Sequence, residues 1–337
     1  MILSPGKIPP ELLDKTVFKF LGAYRNDVIM GPSKGEDAAI VSVGGKLLVF
    51  HADPISGANE KIGWISMNVA TNDIATRGVK PLWALSCIML PVGSEEKILE
   101  KICIEMSLAA QKLGVSIVGG HSEVTPGIDH PLVIVFALGV AEGNRYVTTG
   151  GAKAGSKIIL TKSVGIEGTA ILSSDRRGVL IPRLGKKLVE VATSYFDRLS
   201  ILDEALTAFA FGGVQAMHDP TEGGISNGLH EVADASKTGF RIYEDAIKIS
   251  YETLKICVLL GINPLNLISS GSLLIVSESS KAVDLVNKLV EKGIDASIIG
   301  DVLADDKIRT IVRRNGTIEY LSRPLTDELW AALAKEI

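Results

Sequence analysis

The apolar residues of this chain change their period along its length, and that alternation restricts the possible folds more than any motif does. Ala38 to Val43 and Lys46 to His51 are short apolar runs joined across Val43-Gly44-Gly45-Lys46, and the paired glycines suit a tight hairpin turn. Val28 to Met30, Pro81 to Leu90 and Leu132 to Ala141 also read as strands, and Ser116 to Val118 as a short buried one. Among them, Ile62 to Thr76 sets Ile62, Ile65, Val69 and Ile74 at helical spacing, with Ser66, Asn68 and Asn72 on or near one polar side. Glu95 to Leu113 and Glu11 to Leu21 are helical too, the latter stopped by Gly22. Strands that alternate with helices while keeping a hairpin predict an α/β fold with a mixed sheet.

Glycine and small polar residues cluster from Gly143 to Gly155, which marks a boundary. Strand character resumes at Lys157 to Thr161, followed by a helix-rich stretch from Ile166 to Val214 and a loop from Met217 to Ser226. Leu273 to Ser277, a helix over Lys281 to Lys292, and strands at Ser297 to Val302 and Thr310 to Arg313 complete a second α/β domain. A length of 337 residues with 46% hydrophobic content supports two such domains.

A net charge of -4, from 35 basic and 39 acidic residues, gives no reason to expect nucleic-acid or anionic-membrane binding and directs attention to a small molecule. Cys87, Cys103 and Cys257 are far apart and form no CxxC pair, which predicts a reducing, cytoplasmic setting. Met1 to Pro10 lacks the apolar stretch of a signal peptide, and Leu132 to Ala141 is too short to span a bilayer, so a soluble chain is expected.

Asp37, Asp53 and Asp73 each stand at the edge of an apolar segment. Half-buried acids are costly unless paired or bound to a cation, so three in such places point to a shared positive partner, with magnesium and a nucleotide phosphate the natural candidate. Taken singly, each could be a turn, cap or solvated carboxylate. Gly119-Gly120-His121-Ser122-Glu123 offers glycines that let a backbone approach an anion, and His218-Asp219-Pro220-Thr221-Glu222-Gly223-Gly224 is a second dense polar loop. Gly150 to Lys157 superficially resembles a phosphate loop, but serine precedes lysine, and His230-Glu231-Val232-Ala233-Asp234 falls one ligand short of a zinc helix.

Taken in order, Gly35-Glu36-Asp37-Ala38-Ala39, Asp53-Pro54, Ile62-Gly63-Trp64, Asn72-Asp73-Ile74-Ala75, Gly78-Val79-Lys80-Pro81, Gly119 to Val124 and His218 to Gly224 resemble the aminoimidazole ribonucleotide (AIR) synthase superfamily, nearest to its HypE-like, AIR synthase-related proteins. The resemblance implies a PurM-like two-domain fold: an ATP- and magnesium-binding dimerisation domain over 1–148, whose mixed sheet pairs across a homodimer, and a C-terminal α/β domain over 149–337. It implies Asp37, Asp53 and Asp73 as metal ligands, Gly35, Asn68, Gly119, Gly120, His121 and Glu123 as nucleotide contacts, and His218 with Asp219 on the acceptor side. His121 replaces a usual acid, leaving Glu123 to supply part of the charge.

Departures narrow the activity. HypE proteins end in a cysteine that carries the transferred carbamoyl group, whereas this chain ends Ala334-Lys335-Glu336-Ile337. No cysteine precedes Cys87, as selenophosphate synthetases require, and His51-Ala52-Asp53-Pro54 leaves the AIR synthase pattern after the aspartate. The expectation is an enzyme that moves the γ-phosphate of ATP to a small-molecule acceptor. The alternatives are a non-catalytic nucleotide-binding partner of a maturation factor, or a kinase resembling thiamine-monophosphate kinase.

Overall fold

The computed structural model describes residue 3 and residues 6–58 and 60–335. The first half contains α1 (Pro10–Lys15), β1 (Val28–Met30), β2 (Ala39–Val43), β3 (Lys46–Ile55), α2 (Ile62–Thr76), β4 (Pro81–Pro91), α3 (Glu96–Leu113), β5 (Ser116–Thr125) and β6 (Leu132–Val140). These strands form one sheet in the order β1-β2-β3-β6-β4-β5, antiparallel except for β4 with β5. The β2–β3 hairpin forms as expected, with Val43 opposite Lys46. The opening helix is shorter than its period suggests: α1 ends at Lys15, and a single 3₁₀ turn follows at Val17–Lys19.

The second half contains β7 (Lys157–Thr161), α4 (Ile166–Asp175), α5 (Arg177–Leu184), α6 (Lys186–Thr193), α7 (Leu202–Phe211), β8 (Val214–His218), α8 (Gly224–Ser236), β9 (Gly239–Tyr243), α9 (Tyr251–Leu260), β10 (Leu274–Ser277), α10 (Ala282–Glu291), β11 (Ala296–Leu303), β12 (Arg309–Val312), β13 (Ile318–Tyr320) and α11 (Glu328–Ala334). Its sheet runs β13-β12-β9-β11-β7-β10-β8. Alternate side chains of the central strands enter two different cores. Ile158, Leu160, Leu274 and Val276 pack with α8, while Ile159 and Ile275 pack with α7 and α10. Burial on both faces explains why these strands read as unbroken apolar runs.

The first sheet is covered differently. Val49, Ala84, Ile88, Val133, Val135 and Ala137 are buried in a core shared with α2 and α3, but Trp83, Leu85 and Phe136 are exposed. β5 corrects the sequence reading: it is no short buried strand but a ten-residue edge strand, exposed along nearly its whole length. Its glycines lie inside the strand. A Cβ on Gly120 would sit 1.9 Å from the Ser86 carbonyl oxygen, so glycine is what lets β5 lie against β4.

α2 carries the link between the halves. Every residue from Ile62 to Thr76 except Trp64 is buried, so its polar edge faces protein rather than water. Thr71 Oγ1 donates to the Met67 carbonyl at 2.7 Å and Asn68 Nδ2 to the Trp64 carbonyl at 2.8 Å. Asn72 accepts from Ile201 N–H at 3.0 Å and donates to the Leu199 carbonyl at 2.8 Å, clamping the second half onto the first. Satisfying these groups is what makes their burial tolerable.

Candidate active site

A cavity of about 560 Å³ lies where β3, α2 and the end of β8 meet, and Asp37, Asp53, Asp73 and Asp219 all line it. Asp53 and His51 stand two residues apart on β3 and so project to the same face. The strand continues through Pro54 to Ile55, past the Ala39–Phe50 pairing at which β2 begins. Proline is tolerated there because the strand then has a neighbour on one side only. Asp73 projects from α2, and Asp219 follows the last residue of β8.

The charges are arranged in two chains. His51 Nδ1 donates to the Asp37 carbonyl, and its Nε2 lies 2.9 Å from Asp73 Oδ2. Burial works against the charged ring, but Asp73 and then Asp53 outweigh it and lift His51 to about 10. His218 sits between two acids, with Nδ1 3.1 Å from Asp37 Oδ2 and Nε2 2.8 Å from Glu231 Oε2. Burial again opposes protonation, and Asp37 and Glu231 again win, placing His218 at about 10. The same pairing holds Asp37 below the usual carboxylate range although burial would raise it. Lys7 Nζ adds a third cation 3.7 Å from Glu231 Oε1, and the Lys7 N–H donates to Glu222 Oε2 at 2.8 Å.

The remaining acids are not balanced. Burial and the charge of Asp73 raise Asp53 to about 6, and the same two causes raise Asp219 well above its ordinary value. Both carboxylate oxygens of Asp219 are buried without a hydrogen-bond partner. Ligand atoms of Asp37, His218 and Asp219 lie within 4.8 Å of one another, as do those of His51, Asp53 and Asp73. Hard oxygen donors, converging and partly orphaned, are a set that suits a magnesium ion.

The structure places the other expected residues as follows. Gly35, with φ +76°, lets its loop pass α8, where a Cβ would meet the Glu231 carbonyl at 2.9 Å; it does not line the cavity. Asn68 is turned to the Trp64 carbonyl and is also away from the lining. His218 stands behind the wall with both ring nitrogens engaged, whereas Asp219 reaches the cavity. Gly119, Gly120, His121 and Glu123 lie on β5, three strands from Asp53 in the same sheet, or roughly 14 Å at the usual strand spacing. There His121 Nε2 meets Glu123 Oε2 at 3.1 Å and Thr125 Oγ1 donates to Glu123 Oε1 at 2.6 Å, all at the exposed edge.

Sequence reasoning missed His51, Glu231, Lys7 and Glu167. Only His51 carried a local signal, its two-residue spacing from Asp53. The glycine-rich turn dismissed as a phosphate loop does bind an anion, but the anion is the chain's own: Thr149 and Gly150 N–H donate to the Glu36 carboxylate at 3.1 and 3.0 Å. The buried Arg77 guanidinium pairs with the same group. His230, in the incomplete zinc-helix pattern, is held by the Leu321 carbonyl at 2.8 Å and by Arg309, with burial lowering it to about 4.

Comparison with known proteins converges on one group. Residues 35–141 match the model for the AIR synthase related protein N-terminal domain, and residues 153–313 the model for its C-terminal domain. The chain is similar to a protein of Methanocaldococcus jannaschii named for hydrogenase expression/formation, with 30% identity over 92% of each chain. It is 29% identical to a carbamoyl dehydratase HypE of Rhizobium leguminosarum bv. viciae, over 89% of this chain and 85% of that one. A chain from a crystal structure of a HypE–HypF complex superposes with a TM-score of 0.75 at 25% identity, over 93% of this chain and 99% of that one.

Proposed function

The chain belongs to the AIR synthase-related family of hydrogenase expression/formation proteins, and from that premise we propose an ATP- and magnesium-dependent enzyme that passes the γ-phosphoryl group to a small-molecule acceptor. The observation that carries this reading is the meeting of Asp37, Asp53, Asp73 and Asp219 at one cavity, with Asp219 oxygens unpartnered. These four acids would hold magnesium, which supplies charge neutralisation to the phosphate oxygens during transfer. His51 and His218 fix the orientation of Asp73 and Asp37 from behind. Lys7, the one lysine or arginine lining the cavity among the described residues, stands ready for a phosphate oxygen.

The test is a titration with Mg-ATP followed by ADP release. Asp219→Asn and Asp53→Asn should each weaken nucleotide binding by at least about tenfold, the usual scale for losing a charge-paired ligand. Wild-type affinity in both variants would sink the metal assignment.

The same reading takes the working form, in the cytoplasm, to be a homodimer. Trp83, Leu85, Ile117, Val118, Val124 and Phe136 leave an apolar face and strand edge open to water, which a second copy would cover while bringing its Gly119 to Glu123 toward the cleft. Val118→Lys should shift the protein to monomer in sedimentation and lower nucleotide affinity with it; a wild-type oligomer would overturn this arrangement. A second reading, a nucleotide-binding protein that works by docking on a maturation factor, draws support from the relative found in the HypE–HypF complex. Copurification of such a factor with ADP release at background would favour it.

A further inference from the structure

A smaller chamber of about 50 Å³ adjoins the main cavity and shares Ser56, Glu167, Glu222 and Trp330 with it. Ile55, Ile171, Ile268 and Leu329 supply its apolar walls. Glu167, in the first turn of α4, is only 2% exposed, yet its Oε2 has no hydrogen-bond partner. Burial pushes its carboxyl up to about 8, helped by Asp53, Asp327 and Glu222 and only partly opposed by Ser270. Ser270 is its hydrogen-bonding neighbour, but no ion pair among the described residues balances its charge, and an apolar side chain would fill the position at lower cost.

Its neighbours define what could complement it. Asp327 is already committed, accepting the Gly223 and Leu329 N–H groups at 2.6 and 2.7 Å as the cap of α11. Glu222 is tied to the Lys7 backbone, and among the described residues no lysine, arginine or histidine lines the chamber. An anionic group entering here would meet Glu167, Glu222 and Asp327 together. A cation would meet a buried counter-ion and, beside it, the indole of Trp330, a combination that recognises organic ammonium groups.

We propose that this chamber binds the protonated amine end of the acceptor, with Glu167 as its counter-ion and Trp330 packed against it. The word acceptor rests on the phosphoryl-transfer reading, whereas the binding of an amine does not. A ligand of this kind releases close to one proton when it binds at pH 7, because Glu167 must ionise to pair with it.

Ethylammonium chloride is the probe, titrated calorimetrically into the full chain at pH 7 in two buffers of different ionisation enthalpy. Acetate and ethanol serve as the anionic and neutral isosteres. Saturable binding of ethylammonium is expected with Kd on the order of 1–10 mM, at least about tenfold tighter than either isostere and with proton release. Glu167→Gln should remove the proton release and weaken amine binding about tenfold while leaving Mg-ATP affinity unchanged. Trp330→Leu, which leaves the carboxyl in place, should weaken the amine severalfold and keep the proton release. Equal or tighter binding of acetate, amine affinity unchanged in Glu167→Gln, or no saturable amine binding up to about 100 mM would overturn the proposal. If Mg-ATP binding fails in wild type while the amine still binds, the phosphoryl-transfer reading falls and the chamber stands.

Discussion

Asp37, Asp73 and Glu231 each pair with an imidazolium ring, whereas Asp53, Asp219 and Glu167 are buried or half-buried without an ion pair of their own among the described residues, and burial raises all three. The residue types are the same, and the difference is whether the chain supplies the counter-charge. Where it does, the pairs stabilise the fold, and Asp37 with His218 ties the first half to the second. Where it does not, the fold tolerates groups that a bound cation would stabilise. The fold itself accounts for the paired acids, and the unpaired ones are those that the proposed metal and acceptor would balance.

Substitution should separate the two most sharply. Asp37→Asn removes one partner of the buried His218 and leaves that ring between a neutral amide and Glu231, which should lower unfolding stability by about 2–3 kcal/mol. Asp53→Asn removes an uncompensated charge and should raise stability by about 1 kcal/mol in the absence of metal. Urea denaturation in EDTA reads both. A loss of stability in Asp53→Asn as large as that in Asp37→Asn would erase the distinction between the two sets.

The same comparison explains what the sequence could and could not reveal. Asp37, Asp53 and Asp73 were legible because each stands at the edge of an apolar run, and the β2–β3 hairpin and the mixed character of the first sheet follow from period and turn chemistry. Glu167 and Glu231 were not legible, since each is an ordinary helical glutamate until the second half folds against the first. β5 misled for the opposite reason. Its Ile117-Val118 pair looks like a short buried strand, but both residues lie in a ten-residue strand that is exposed along nearly its whole length. An exposed apolar strand edge of this kind is what the proposed second copy would cover.

The two sets should also differ in their response to pH. His51 and His218 rise from 6.5 to about 10 on folding, so the stability they contribute is complete below pH 6.5 and is lost as pH climbs through about 10. Asp53 rises from 3.8 to about 6 and Glu167 from 4.5 to about 8, so their loss falls earlier, between those ordinary values and those raised ones. Asp37 and Glu231 are held low and act in reverse, losing their contribution in acid below their ordinary values of 3.8 and 4.5. Metal-free stability should thus peak between about pH 4 and 6 and then decline through pH 10 in two overlapping phases. Glu167→Gln should flatten the first phase and leave the second. A profile with no further decline between about pH 8 and 10 would mean that neither histidine is held charged.

Lys7 belongs to neither set cleanly, and the smallest predicted effect follows from that. Glu231 gives it a place among the paired groups, yet its side chain is 45% exposed and its segment also lines the cavity. A half-exposed ion pair contributes little to folding, so Lys7→Gln should change the melting temperature only marginally. Toward a phosphate group the same lysine acts at short range within a field of acids, where losing one cation should weaken Mg-ATP binding by about threefold to tenfold. Because the contact is partly open to solvent, that deficit should shrink as ionic strength rises, whereas a deficit caused by a misfolded cavity would not depend on salt. An affinity loss that is constant from low to high salt would therefore assign Lys7 to the scaffold instead of the site.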